Sequence, residues 1–153
     1  MNCPRCSVAL DNSEFDGVPM QMCGGCMGAL VRQRDLVPLL EKMSAELARE
    51  MSFDHTIEPV TDHAGKADCP QCGKHMDCFG YMESNLVYAD RCSTCWVIWT
   101  DPDEIGVMAV LYARTHHRTG ARQADRDEWQ DAMSSRVSSL LRSRAGGGGA
   151  IRF

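Results

Sequence analysis

Cys69-Pro70-Gln71-Cys72 and Cys92-Ser93-Thr94-Cys95, the latter running on into Trp96-Val97-Ile98-Trp99-Thr100-Asp101-Pro102-Asp103-Glu104-Ile105, decide how this chain folds. A Cys-x-x-Cys knuckle bends so that both sulfurs face one point. The 19 residues between the two knuckles suffice for a β-hairpin that brings all four sulfurs together. A short apolar strand follows, then a helix start: Asp101 can cap, Pro102 takes the first helical position, and Glu104 can reach back to close a capping box. The same order stands earlier in the chain. Cys3-Pro4-Arg5-Cys6 and Cys23-Gly24-Gly25-Cys26 lie 16 residues apart and lead to Leu30 and Leu36. One metal-dependent unit is used twice.

Eight of the nine cysteines fall in these four pairs, which predicts two small units rather than one ordinary domain of 153 residues. Cys3, Cys6, Cys23 and Cys26 form one ligand set, and Cys69, Cys72, Cys92 and Cys95 the other. Zinc is the expected ion, two per chain, because a structural site wants four thiolates in a tetrahedron. A filled four-thiolate shell has no open position, so the metal is expected to be structural. Singly, Cys-Pro-Arg-Cys or Cys-Gly-Gly-Cys would suit a redox dithiol. Four pairs in two matched sets, with no βαβ pattern beside them, argue for metal, and a thiol oxidoreductase is kept as the reading that metal analysis tests.

The fold class that follows is a small metal-stabilised α+β protein. It consists of two zinc ribbons, each a three-stranded antiparallel unit with a following helix, and a C-terminal amphipathic helix. Residues 1–51 form the first ribbon and helix. Val8 to Phe15 reads as a strand, Asp16-Gly17 as a tight turn, and Val18, Met20 and Met22 alternate along the return strand. Leu36, Leu40, Met43 and Leu47, widened by Leu39 and Met51, give a helical stripe over 35–51, with Asp35 as N-cap and Pro38 in the first turn. Residues 52–68 carry no period and read as a linker. Residues 69–114 form the second ribbon and helix, with strands over Met76 to Glu83 and Leu86 to Arg91, a turn at Ser84-Asn85, and Trp96 to Trp99 as the third strand. Ile105, Met108, Leu111 and Tyr112 mark the helix face. Residues 115–145 hold the last helix, striped by Trp129, Met133, Val137, Leu140 and Leu141. Residues 146–153 are a glycine-rich flexible tail whose Ala150-Ile151-Arg152-Phe153 could dock.

Charge is divided unevenly. Residues 1–113 hold 8 Lys/Arg against 17 Asp/Glu, whereas residues 114–153 hold 8 Arg against 4 acids. With eight thiolates on two Zn²⁺ the formal charge of −5 becomes about −9. An acidic body is a poor phosphate-binding surface, since such binding rests on cations that release counterions. Only the Arg-rich C-terminal region could serve a nucleic-acid-binding transcriptional regulator, and no aromatics interleave with its arginines. No apolar run approaches the roughly 18 residues of a membrane span, and no charged leader precedes an apolar run. Reduced thiols and a cytoplasmic location are the expectation.

No catalytic set emerges. There is no Ser/His/Asp grouping, no His-Glu-x-x-His and no phosphate-cradling loop, so the chain is expected not to be an enzyme and to take no small-molecule substrate. Cys78 reads as a small buried hydrophobe in a strand. His75 is not needed as a ligand, and His116-His117 read as exposed residues at a helix break.

Both units resemble the transcription-factor-IIB-type zinc ribbon of small bacterial proteins: Cys-Pro-x-Cys, a hairpin, Cys-x-x-Cys, a Gly/Trp strand and an Asp-x-x-Glu-Leu helix start. In the second unit Cys69-Pro70-Gln71-Cys72, Cys92, Cys95, Trp99, Asp101, Glu104 and Ile105 fall on that pattern. In the first, Cys3-Pro4-Arg5-Cys6, Cys23, Cys26, Gly28 and Leu36 do, but Leu30, Arg32 and Asp35 stand where Trp, Asp and Glu are expected. The resemblance covers about residues 1–43 and 69–112 and implies zinc binding and a role near transcription. With it, the residues predict a structural-zinc adaptor that binds a protein partner or larger assembly through its helices and tail, presenting Trp96, Trp99 and the helix after Asp101.

Overall fold

A computed structural model describes residues 1–50, 57–60, 67–116, 135–139 and 141. Strand β1 (Leu10–Phe15) turns through Asp16-Gly17 into β2 (Val18–Cys23), with Phe15 opposite Val18. Both turn residues lie at positive φ, 49° and 81°, as an Asp-Gly turn requires. Strand β3 (Ala29–Arg32) pairs with β2 and runs straight into α1 (Gln33–Glu50). The second unit repeats the plan with β4 (Asp77–Gly80), β5 (Tyr88–Cys92), β6 (Val97–Thr100) and α2 (Pro102–His116).

The two units share one antiparallel sheet of order β1-β2-β3-β6-β5-β4. They meet at β3 and β6, where Ala29 pairs with Thr100, Leu30 with Trp99, Val31 with Ile98 and Arg32 with Val97. The strand order is the same read from either edge. Leu30 and Trp99 are each the fourth residue after their knuckle, so this pair sits on a pseudo-twofold axis relating the units. Gln21 pairs with Leu30 as Asp90 pairs with Trp99.

Side-chain alternation gives the sheet two cores. On one face, Ala29, Val31 and Ile98 pack with Phe15, Met20 and Met22 beneath α1 and α2. Leu36, Leu39, Leu40, Met43 and Leu47 are all buried there, so the α1 stripe faces the protein's own core, and α1 packs against α2. Val137 and Leu141 join the same core, with Val137 against Gly106. On the opposite face, Leu30, Val97 and Trp99 pack with Cys3, Cys23, Cys69 and Cys92. This second face is called the knuckle face below.

Several expectations change. Helix α1 begins at Gln33, because the Gln33 amide donates to Trp96 O at 2.8 Å and continues the β3–β6 seam. Asp35 therefore lies in the first turn and pairs with Arg32 at 2.7 Å, while Pro38 falls inside the helix. The β4 strand ends at Gly80, and the chain turns through a 3₁₀ segment, Tyr81–Glu83, fastened where Ser84 Oγ donates to Tyr81 O at 2.7 Å. Trp99 is fully buried and is not presented; Trp96, at φ 57°, is 64 % exposed. Cys78 is exposed on β4 rather than buried. Within 52–68, Ile57 is buried and the Val60 amide donates to Leu86 O at 2.7 Å, so 57–60 lies against the second unit. Met51, Trp129, Met133, Leu140 and the tail 146–153 lie outside the described residues.

Gly28 shows how tightly the seam is packed. A Cβ there would lie 2.3 Å from Cζ2 of the Trp99 indole and 3.1 Å from Thr100 O. Gly28→Ala must push the indole or the β6 backbone aside, at an expected cost of about 1–3 kcal/mol from overpacking. Chemical denaturation of the zinc-loaded protein measures this; an unchanged midpoint would show that the indole can yield freely.

Candidate metal centres

Each knuckle is built by the same local turn. The residue after its second cysteine takes a left-handed conformation: Ser7 at φ 61°, Met27 at 65°, Gly73 at 70° and Trp96 at 57°. The amide of that residue donates to the carbonyl of the first cysteine, Ser7 to Cys3 at 3.0 Å, Met27 to Cys23 at 2.9 Å, Gly73 to Cys69 at 2.8 Å and Trp96 to Cys92 at 2.9 Å. Only one of the four is glycine. The other three hold a side chain in a conformation that costs roughly 1–2 kcal/mol each. Gly25 stays small for another reason, since a Cβ there would press on Cys6 Sγ at 3.2 Å.

These turns place the eight predicted ligands in two groups, Cys3, Cys6, Cys23 and Cys26, and Cys69, Cys72, Cys92 and Cys95. Within each group the four sulfurs all lie within 4.8 Å of one another. Separations of 3.5 Å for Cys3–Cys26, 3.3 Å for Cys6–Cys23 and 3.7 Å for Cys72–Cys92 approach the edge of about 3.8 Å that a tetrahedron with Zn–S bonds of about 2.3 Å requires. The donor set therefore fits a zinc ion at each site, closed by four sulfurs. Among the described residues no other His, Cys, Asp or Glu group of this kind occurs. His75 is engaged elsewhere, its Nδ1 2.7 Å from Asp68 Oδ1, and His116 stacks on Tyr112 with ring centroids 4.0 Å apart.

The thiols are electrostatically unequal. Burial pushes Cys23 up, but the amides of Cys26 and Gly25 and the Cys6 thiol outweigh it, and Cys23 falls to about 7. Cys92 likewise falls to about 7: burial raises it, and the amides of Cys95 and Thr94 with the Cys69 and Cys72 thiols lower it further. Burial holds Cys3 and Cys69 above the ordinary thiol value. Each cluster thus sets a thiol that ionises more readily, Cys23 or Cys92, near one that burial keeps protonated, Cys3 or Cys69, and a bound cation displaces thiol protons.

The motifs did not reveal what joins the centres. Arg5, between the first two ligands, reaches across into the other unit. Its guanidinium meets Asp90 Oδ2 at 3.0 Å and Asp101 Oδ2 at 3.1 Å, and Asp101 Oδ1 accepts from the Trp99 indole N–H at 3.0 Å. Glu104 Oε2 accepts from the Asp101 amide at 2.8 Å, so the expected capping box forms its Glu half. The Asp101 carboxylate is taken by Arg5 and Trp99. No sequence signal marks Arg5 for this role, because its partners lie 85 and 96 residues away.

Glu104 is 4 % exposed, and burial, reinforced by the Asp101 and Asp90 charges, raises its carboxyl to about 8 against the hydrogen bond from the Asp101 amide and the attraction of Arg5. The folded protein then holds a proton that the unfolded chain releases near 4.5. Stability from this group is complete below about pH 4.5 and is lost as pH rises through 8, a window worth on the order of a few kcal/mol. Glu104→Gln keeps an acceptor for the Asp101 amide and cannot ionise. It is expected to flatten that decline and to exceed the parent in stability at pH 9. Denaturation midpoints from pH 6 to 9 test this, and parallel curves for the two proteins would contradict it.

Residues 2–42 match the family model described as transcription factor zinc-finger, the TFIIB-type zinc ribbon. The match covers the first unit, the one whose helix start departs from the expected pattern. The second four-cysteine group and the mirrored strand order indicate a second copy. No curated protein and no solved structure matches the chain.

Proposed function

We propose that this protein is a non-enzymatic adaptor: two structural zinc ions fix one rigid platform, and the platform docks a protein partner in a transcription-related assembly. The observation that carries this reading is the closed four-sulfur geometry of both centres on a single sheet. Such shells hold a fold and offer no coordination position for a substrate. The match of residues 2–42 to a transcription factor zinc-finger supports the setting, and nine cysteines without a disulfide suit the reducing cytoplasm. Among the described residues no helix is long and apolar enough to cross a membrane.

The test is stoichiometric recovery of a protein complex with the full, zinc-loaded chain from its own cells. The complex is expected to survive nuclease and to dissociate when the metal is chelated. Trimming residues 150–153 reads whether the tail takes part. Recovery that disappears with nuclease, together with steeply salt-dependent DNA or RNA binding lost on removing 114–153, would replace the adaptor with a nucleic-acid-binding regulator.

A further inference from the structure

The two sides of the pseudo-twofold axis are filled differently. On one side the Trp99 indole lies over Gly28, its N–H on Asp101, and Arg5 closes the site by pairing with Asp101 and Asp90. The corresponding positions on the other side are Leu30 for Trp99, Val97 for Gly28, Arg32 for Asp101, Gln71 for Arg5 and Gln21 for Asp90. Leu30 is shorter than an indole, and no ion pair among these residues closes over it. Gln21, Leu30, Arg32, Gln71 and Val97 line a cavity of about 300 Å³, together with Asn12, Ser13, Pro19 and Met20 of the β1–β2 hairpin.

We infer that this cavity receives an aromatic side chain, flanked by carboxylates, from a peptide segment of a protein partner. The filled side supplies the template for the occupant: a flat ring against the β3–β6 seam with an ion pair beside it. The charge at the rim is inverted, since Arg32 stands where Asp101 does, so the acidic group must come from the occupant. Arg32 and Arg34 both approach Asp35, at 2.7 and 3.8 Å, so two cations share one carboxylate there. Arg32 also lines a second depression, of about 580 Å³, with Gln33, Arg34, Cys95 and the exposed Trp96. The occupied path is therefore longer than one ring, which suits an extended peptide. Aromatic and arginine anchors are the residue types that carry most interface energy. This deepens the adaptor reading and rests on it for the identity of the partner as a protein.

A blocked tripeptide with tryptophan between two aspartates, titrated into the ¹⁵N-labelled, zinc-loaded full chain, tests the site without the natural partner. Saturable amide shifts confined to Gln21, Leu30, Arg32, Gln71 and Val97 are expected. Affinity should fall at least about tenfold when the peptide's aspartates become lysines, when its tryptophan becomes alanine, or in Arg32→Glu. The paired change Leu30→Trp with Val97→Gly reproduces the filled side and should abolish the shifts. If that variant does not fold, Arg32→Glu, at an exposed position, still decides. Shifts absent at about 1 mM peptide, or unchanged by Arg32→Glu, would overturn the proposal. Free indole acetate binding as tightly as the peptide would overturn the peptide as occupant. A negative titration alongside a recovered complex removes the cavity and leaves the adaptor. A positive titration with no recoverable partner removes the adaptor and leaves the cavity.

Discussion

Stripping the metal from this protein is expected to unfold all of it, both units together. Structural zinc in a small domain is worth about 10–16 kcal/mol of apparent free energy per site, as much as the whole stability of an ordinary domain at about 5–15 kcal/mol. Each unit alone is near the short end of what can bury a self-sufficient core. The coupling comes from the knuckle face, where Cys3 and Cys23 of one centre share a core with Cys69 and Cys92 of the other through Leu30, Val97 and Trp99. Full loading should measure two zinc ions per chain. A strong chelator should collapse amide dispersion in a single transition, and added zinc should restore it. Cys92→Ser is the sharper probe. It removes a ligand from the second site, and the resonances of Ala29 to Arg32 in the first unit should be lost with the rest. A first unit that stayed folded in Cys92→Ser, or a chelated protein with native dispersion, would show that the seam does not couple the sites.

The second large effect is expected from Arg5→Ala. Asp90 is buried, and Arg5 is its cross-unit cation at 3.0 Å. Removing the guanidinium takes a cation away from two carboxylates on the knuckle face, and breaking a buried pair in this way typically costs about 3–5 kcal/mol. An exposed pair would cost about 1 kcal/mol or less, so the magnitude separates the two cases. Denaturant midpoints should fall accordingly with zinc content still at two. Arg5→Ala combined with Asp90→Asn should recover part of the loss, because the stranded charge is gone. A loss below about 1 kcal/mol, or no recovery in the double variant, would mean that water reaches these carboxylates.

Much of this was readable from local chemistry. The knuckles, the Asp-Gly hairpin, the α1 stripe from Leu36 to Leu47 and the Pro102 helix start depend on residues close in sequence and form near their patterns. The Pro102 start keeps only the Glu104 half of its capping box. The joining of the units depends on residues far apart. A partial signal did exist: Ala29-Leu30-Val31 and Val97-Ile98-Trp99 are apolar without alternation, the mark of strands buried on both faces, and both are central. Asp35 misled because its cap chemistry was plausible, but the β3–β6 seam carried helical conformation back to Gln33. Cys78 misled because a half-apolar strand cannot announce that it forms an edge of the sheet. Arg5 gave no sign, since a cation between two ligands reads as knuckle surface until its distant acids are located.

The Leu30–Trp99 pair has a consequence for how such a molecule could arise. A strand order that reads alike from both edges is what two separate ribbon polypeptides would form as a symmetric homodimer. In such a homodimer, whatever residue stood on the axis would face itself, tryptophan on tryptophan or leucine on leucine. Joining two gene copies end to end lifts that restriction. One copy could then keep a large ring and its acids while the other became small and basic. The asymmetry that gives this protein one filled side and one open side is available to a fused pair and closed to an identical one.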